Sequence, residues 1–503
     1  MGEFLLEYNL FKIIFFAAWF FVGIYMLDKI NTNPRKWGHA DKNSEEGGQS
    51  RKEWLTLFFA PAMFLIFHTG KFWQENLSSL YARTKRKFKY AHISIFDSNG
   101  NALYASDYDN PAIDELKDII GEAVIKRASD VFFDPTGDGK MSLRFRIDGA
   151  LIPIKELDIV FGDNVINAIK VASGMDITEK RRPQDGSFAA QVSDGGIAFR
   201  VATVGAFGGE KMAIRLLGAQ TGPKTLEEIG FSPEQCELLR NAMGLNSGMV
   251  LMCGATGSGK TTTLYALIDN LDYTLKNVIS IEDPIERVLP HVSQMEVNTK
   301  ADITFAKILR NALRQNPDVI CLGEIRDEET AEIAIHAAQT GHLIISTVHS
   351  NDSVDTLDRL SSLGVPFRSL ASTIKVIINQ RLARRLCPHC KKPATQIPKK
   401  WYDLFGQYGL DFSGLCIPQG CPECNNTGYR GRVACFDILI IDSTLRAELE
   451  QENVSLSKIK QIADAREVSN NLLYHAATLA AQGITSLNEV DRVTIAMDGG
   501  AFQ

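Results

Sequence analysis

The 503-residue chain lacks a basic surplus: 54 Lys and Arg stand against 60 Asp and Glu, for a formal net charge of −6. That balance argues against a large nucleic-acid-binding surface. Internal repeats and long low-complexity tracts are also missing, which leaves the length free for three or four globular domains. Cysteine is sparse and odd in number, at nine, and four of the nine fall in two CxxC pairs. A reducing compartment with a metal site is therefore expected rather than a disulfide frame.

Asp, Glu, Lys and Arg are absent from residues 13–27, IIFFAAWFFVGIYML, and from 54–70, WLTLFFAPAMFLIFHTG. Each run is slightly short for a perpendicular span, and the flanking Leu10, Phe11, Phe72 and Trp73 extend them. The first eleven residues carry Glu3 and Glu7 and no basic charge, unlike a cleaved signal peptide. The expectation is a transmembrane hairpin within 10–73, with buried or interfacial helices as the alternative; spanning helices tolerate a proline such as Pro61. The run RTKRKFK at 83–89 holds five basic residues within seven and favours a cytoplasmic face.

What is present begins with GATGSGKTTT, residues 254–263, between the strand-like GMVLMC and the helix-like LYALIDNL. Gly254, Gly257 and Gly259 can adopt backbone angles closed to other residues, so successive amides curl around an anion. A helix opening near Lys260 adds unsatisfied amides and the positive end of its dipole. Gly254, Ala255, Thr256, Gly257, Ser258, Gly259, Lys260, Thr261 and Thr262 form the expected phosphate cradle. Lys260 would reach the β- and γ-phosphates, and the Thr261 hydroxyl would ligate Mg²⁺. The pattern predicts a nucleoside triphosphate, ATP, as ligand.

Strand patterns occupy 128–135, 141–151 and 197–204, and a helix pattern occupies 110–127, opened by Asn-Pro. Residues 225–248 read as a helix joining two domains. From 249 to 386, strand and helix alternate, which predicts a mostly parallel sheet covered on both faces. Ligand chemistry in such α/β folds collects at the carboxyl ends of the strands. There the sequence places Glu282-Asp283, Gly323-Glu324 and His349. Glu324 is assigned to orienting the attacking water, and Glu282 or Asp283 to the Mg²⁺ shell. His349 would sense the γ-phosphate or link neighbouring segments, with a merely structural role as the rival.

Phosphoryl transfer also needs positive charge on the departing group. Arg200 and Arg215, on strand-like runs outside the nucleotide domain, are the candidates, against a reading as surface charges. Cys387, Cys390, Cys421 and Cys424 read as CxxC-x30-CxxC. Each pair can hold one edge of a tetrahedral Zn²⁺, and four thiolates leave no open position, so the site should be structural. Two redox pairs are the alternative.

These residues resemble the secretion ATPases of type II secretion and type IV pilus assembly. The resemblance rests on GATGSGKTTT, IEDPIE, LRQNPDVICLGEIRDEETAEIAIHAAQTGHLIISTVHSND, and INQRLARRLCPHC with GCPECNNTGYRGR. RASDVFFDP, RFRIDGAL and RRPQDG are similar to the domain preceding the motor in that family, and 480–494 to its C-terminal helices. The match runs over roughly 115–495. It implies an α/β fold in which a PAS-like α+β domain precedes a RecA-like P-loop ATPase domain, with a zinc insert and a helical C-terminal region. It further implies a homo-hexamer acting on an inner-membrane platform protein, with ATP and Mg²⁺ as nucleotide and metal. By motif matching it supports Arg200 and Arg215 as trans-domain arginines, Glu324 as catalytic glutamate and His349 as the family's histidine-box residue.

Three departures stand out: Ala255 where proline is commoner, VATVGAFGGEK in place of the usual loop, and a hydrophobic hairpin where relatives carry a soluble docking domain. The expected division is 1–90 hairpin and basic run, 91–220 PAS-like domain, 221–235 linker, 236–386 ATPase domain, 387–435 zinc subdomain and 436–503 helical region. The expected body lies in the cytoplasm at the inner membrane, with no nucleic acid bound. Retraction motor, conjugative DNA-transfer ATPase and non-hydrolysing scaffold are the competing readings.

Overall fold

The computed structural model describes residues 93–98, 100–104, 110–192, 195–217, 224–465 and 471–494. The hydrophobic segments and the basic run at 83–89 lie outside the described residues. Among the described residues, no helix is long and apolar enough to cross a membrane.

Eight strands build the first sheet: β1 (Ile93–Phe96), β2 (Ala102–Leu103), β3 (Ala128–Pro135), β4 (Lys140–Ile147), β5 (Ala150–Asp158), β6 (Gln184–Val192), β7 (Gly195–Ala206) and β8 (Gly209–Leu217). They pair antiparallel in the order β2-β1-β6-β7-β8-β3-β4-β5. Alternation decides which face is covered. Met141, Leu143, Phe145 and Ile147 of β4 point inward, as do Ile197, Phe199 and Val201 of β7. Helices Pro111–Ile125 and Ile159–Ala172 cover that face with Leu116, Ile119, Val165 and Ile169. Asn110 caps the first, its side chain accepting from the Ala112 amide at 2.9 Å. The opposite face carries Arg146, Arg200 and Arg215.

The strand expected over 141–151 is interrupted. Asp148 and Gly149 both take positive φ, 50° and 85°, and turn β4 into β5. Asp-Gly is itself a strong two-residue hairpin signal. The helix expected over 225–248 is likewise two helices, Leu226–Ile229 and Pro233–Met243. Gly230 at φ 125° ends the first, and Ser232 caps the second ahead of Pro233.

The second sheet contains β9 (Gly248–Cys253), β10 (Val278–Glu282), β11 (Ser293–Glu296), β12 (Val319–Leu322), β13 (Leu343–Val348) and β14 (Ile374–Leu386), and, beyond a short pair β15 (Lys392–Pro393) and β16 (Cys416–Ile417), β17 (Tyr429–Ile440). Its order is β11-β10-β12-β13-β9-β14-β17. All neighbours run parallel except the antiparallel pair β14–β17. Period-two alternation splits β9 between two cores. Met249 and Leu251 join the cluster containing Leu309, Ala334 and Leu357, while Val250 and Met252 join that of Leu239, Leu264 and Leu267. Helices therefore cover both faces, which frees the carboxyl ends of the strands for polar chemistry.

β14 and β17 outrun their neighbours. Pairing of β14 with β9 stops at Asn379, whereas pairing with β17 continues to Leu386. The overhanging ribbon is packed by Trp401, Phe405, Leu472, Ala476 and Val490 against Ala383, Val433 and Cys435.

Candidate functional site

The phosphate loop leaves β9 at Gly254 and enters the helix Lys260–Ile268, whose first-turn amides are the unsatisfied groups of any helix start. Gly254, Gly257 and Gly259 have φ of 139°, 79° and 92°. Only glycine takes such angles without strain. Lys260 folds back on the loop: its Nζ donates to the Gly254 carbonyl at 2.7 Å and to the Ala255 carbonyl at 3.2 Å. Burial is the main cause that lowers its ammonium pKa. A buried cation held only by carbonyl oxygens suits a polyanion as partner.

The strand-end acids sit beside it. Glu324 follows β12, with its side chain 12% exposed. Arg326 ion-pairs with one of its oxygens, while the other, Oε2, is buried with no hydrogen bond and His349 Nε2 at 3.4 Å. Glu324 lines the cleft, and its unsatisfied carboxylate oxygen is an acceptor for a water once the site admits one. Burial, and then the Lys260 charge, hold the His349 imidazole below its ordinary pKa, which favours the neutral ring. Glu282 at the end of β10 is buried, and both its oxygens are taken. The Tyr265 hydroxyl donates to Oε2 at 2.5 Å, and Gln294 Nε2 donates to Oε1 at 2.9 Å, alongside Ser280. Asp283 is the freer of the two, one-third exposed and 3.9 Å from Arg326. Thr261 and Asp283 line one cleft and offer hard oxygen donors of the kind Mg²⁺ takes.

Arg200 and Arg215 face each other directly across β7 and β8. Like charges so placed repel, and Asp130 of β3 offsets this. It takes Arg215 Nε at 2.9 Å on Oδ1, while Arg146 Nε lies 3.5 Å from Oδ2. Ser129 donates to Oδ2 at 2.8 Å. Glu286, after β10, feels the same arginines: burial and Glu282 raise its carboxyl pKa, and Arg215 and Arg200 oppose them. A cleft of about 1400 Å³ is lined by Arg146, Arg200 and Arg215 on one side and by Thr256, Lys260, Thr261, Glu324 and His349 on the other. Residues chosen from sequence on separate segments thus share one cavity. Asp130, Arg146 and Tyr265 were missed. Asp130 and Arg146 stand in segments read as strands and for their resemblance, not for their charges, and no local signal pointed to Tyr265.

The four paired cysteines converge at the end of the β14–β17 ribbon. Their sulfurs lie within 4.8 Å of one another. Cys387–Cys421 is 3.8 Å, Cys390–Cys424 3.9 Å and Cys421–Cys424 3.7 Å, with every thiol free. A tetrahedron of Zn–S bonds near 2.3 Å has edges of about 3.8 Å, so the residues fit the metal. Cys424 Sγ also accepts the amides of Cys421 and Gly428, each at 3.2 Å. Burial raises this thiol, but those amides together with the Cys421 and Cys390 thiols outweigh it and hold the pKa at about 7.

The model of the family described as Type II/IV secretion system protein matches residues 105–492. Against the type IV pilus assembly ATPase PilB of Pseudomonas aeruginosa, identity is 39% over 389 residues, covering 77% of this chain and 68% of the relative. Against the type II secretion system protein E of the same organism it is 37% over 392 residues, covering 78% and 77%. Among solved structures, the pilus retraction motor PilT with bound ADP is similar at TM-score 0.51 and 26% identity, over 75% of this chain and 96% of that one. The Legionella pneumophila ATPase DotB is similar at TM-score 0.58 and 20% identity, over 75% and 95%, a likeness of fold alone.

Proposed function

Because this chain belongs to the type II/IV secretion system protein family, we propose that it is a hexameric motor that hydrolyses ATP at the cytoplasmic face of the inner membrane to assemble a pilus or secretion pseudopilus. It is an ATPase of the secretion and pilus-assembly class. The observation that carries the mechanism is the orphaned Oε2 of Glu324 beside the phosphate loop.

On this reading, ATP draws Lys260 off the Gly254 and Ala255 carbonyls, and the loop amides take the phosphate oxygens. Glu324 holds a water by Oε2 for in-line attack, and neutral His349 marks the γ-phosphate position. Closure of the first sheet onto the loop brings Arg200 and Arg215 to the departing phosphate. Mg²⁺, held by Thr261 and Asp283 with Glu282 behind, would offset phosphate charge. Zn²⁺ on the four cysteines would serve the fold. The division into a PAS-like domain, a linker and a RecA-like domain belongs to the same proposal, as does a platform protein as partner.

Assembly is favoured over retraction by what the similar curated proteins are called, a type IV pilus assembly ATPase at 39% identity and a type II secretion system protein E at 37%. Residues 10–73 are proposed as a membrane hairpin on sequence grounds, because exposing a dozen Leu, Ile and Phe side chains at roughly 1.5–3 kcal/mol each would be prohibitive in water. Two experiments test the reading. Purified chain should release phosphate from ATP and run as a hexamer; nucleotide binding without phosphate release would leave the scaffold. In fractionation, the full chain should resist carbonate washing, and release by carbonate would end the anchor reading.

A further inference from the structure

One side chain of β14 reaches the phosphate loop from 122 residues away. Gln380 is 1% exposed. Its Oε1 accepts from the Thr263 hydroxyl at 2.7 Å, and its Nε2 donates to the Ser258 carbonyl at 2.9 Å. The approach is close enough to dictate loop composition. A Cβ on Gly254 would fall 2.5 Å from the Gln380 carbonyl oxygen, and one on Gly259 would fall 2.8 Å from Nε2. Gly254 is thus held to glycine by the backbone of residue 380 as well as by its own angle, and at Gly259 the Gln380 amide packs where a side chain would begin.

The electrostatic consequence follows from peptide geometry. In a planar trans peptide the C=O and N–H point in opposite directions. Anchoring the Ser258 oxygen on Gln380 therefore turns the Gly259 N–H away from β14 and toward the cleft, which Gly257, Gly259 and Lys260 line. Glycine at φ 92° would otherwise permit that peptide to flip. The Thr263 hydroxyl, one turn into the helix, fixes which way the glutamine amide faces by donating to its oxygen.

We propose that Gln380 is a positioning residue for ATP: it locks the Ser258–Gly259 peptide so that the Gly259 amide meets the phosphates. The inference rests on the loop being the ATP site, which turnover by the unaltered chain tests separately. An amide that contacts phosphate equally in ground and transition states contributes uniform binding, so its loss shows in KM and not in kcat.

The experiment uses full-length Gln380→Met, of similar length and without hydrogen-bonding groups, and Gln380→Glu. Gln380→Met should raise the KM for ATP about tenfold while kcat stays within about twofold. In Gln380→Glu, the protonated carboxyl can donate to the Ser258 oxygen and the ionised one repels it, so its KM should climb with pH across a range where the unaltered chain is flat. Thr263→Val removes the other half of the bridge and should shift KM in the same direction by less, which keeps the test alive if Gln380→Met does not fold. An unchanged KM in Gln380→Met, a fall in kcat alone, or a flat pH profile in Gln380→Glu overturns the proposal.

Discussion

The β14–β17 ribbon has two ends that do opposite work with the same backbone. At the inner end, residues 376–379 are sandwiched between β9 and β17, and Gln380, just past the last pair with β9, presents a neutral amide to the phosphate loop. At the outer end, β14 and β17 have only each other, and ionic contacts replace the missing sheet. Glu489, 1% exposed, accepts the Arg384 amide at 2.8 Å and its guanidinium at 3.0 and 2.7 Å, and Arg492 at 2.7 Å. The Arg384 guanidinium also lies 4.1 Å over the Tyr429 ring. The inner end spends its own polar groups on aiming the loop amides at a ligand that comes and goes. The outer end closes on itself through Glu489 and its two arginines and finishes in four converging sulfurs. The difference teaches where change should cost turnover and where it should cost stability.

The largest effect should break catalysis at the inner end without loosening the fold. Glu324→Gln should lower kcat about a thousandfold, within the usual range for a positioned base, yet still bind and trap ATP. Lys260→Ala should lose turnover and affinity together. Equal loss of nucleotide affinity in both, read by equilibrium binding, would contradict the division of roles. Next come the arginines of the first sheet. Arg200→Ala or Arg215→Ala should cut kcat about a hundredfold while the unfolding midpoint barely moves, because the Arg215 side chain is 63% exposed and its pair with Asp130 is worth little to stability. Early unfolding with normal specific activity would make them structural.

The outer end should respond the other way. Cys421→Ser, or removal of metal by a chelator, should lower the unfolding midpoint while ATP affinity stays within about twofold, since a closed site contributes to folding. Elemental analysis should find about one zinc per chain. No zinc, with all four thiols titratable, would sink the site. A large loss of ATP affinity in Cys421→Ser would instead mean that the ends are coupled.

Features settled within one turn or one strand were legible in sequence: the glycine loop, the Asn110-Pro111 helix start, the CxxC pairs and the β3 boundaries at 128 and 135. The Asp148-Gly149 break and the Gly230 break carried local signals too, and were overridden by the apolar pattern around them. What stayed hidden depends on strand order. Gln380 meets Ser258, Asp130 meets Arg215 and Tyr265 meets Glu282 only after sheets form, and nothing in the spacing of a single chain encodes those partners. The same holds for the roles of Glu282 and Asp283. Adjacent in sequence, they are separated by burial, with one locked by three donors and the other left to the cleft.

The smallest effect sharpens the comparison within a single residue step. Asp437 and Phe436 are neighbours on β17, yet their side chains enter differently charged surroundings. Burial, with Asp352 and Asp464 nearby, pushes the Asp437 carboxyl from 3.8 up to about 6, against the Ser353 hydroxyl and Asn379, which stabilise its anion. Burial also drives His475, which accepts the Phe436 amide at 3.1 Å, from 6.5 down to about 4, with the Gly230 carbonyl opposing. The signs differ. Above pH 6 the folded state carries an ionised, buried Asp437; between about 6 and 3.8 it takes up a proton that the unfolded chain does not, so stability from this group rises as pH falls. For His475 the unfolded chain takes up the proton first, so stability is complete above 6.5 and is lost as pH falls toward 4. Each term spans roughly 3 kcal/mol, and across pH 4 to 6 they oppose. Stability of Asp437→Asn minus that of the unaltered chain should therefore be positive at pH 7 and shrink toward zero by pH 4. The difference for His475→Asn should grow more positive over the same fall in pH. Denaturant titrations at several pH values read both differences, and taking differences removes the carboxylates common to all three chains. Two parallel difference curves would mean that Asp437 and His475 do not titrate apart, and that the ribbon's two faces are not electrically distinct.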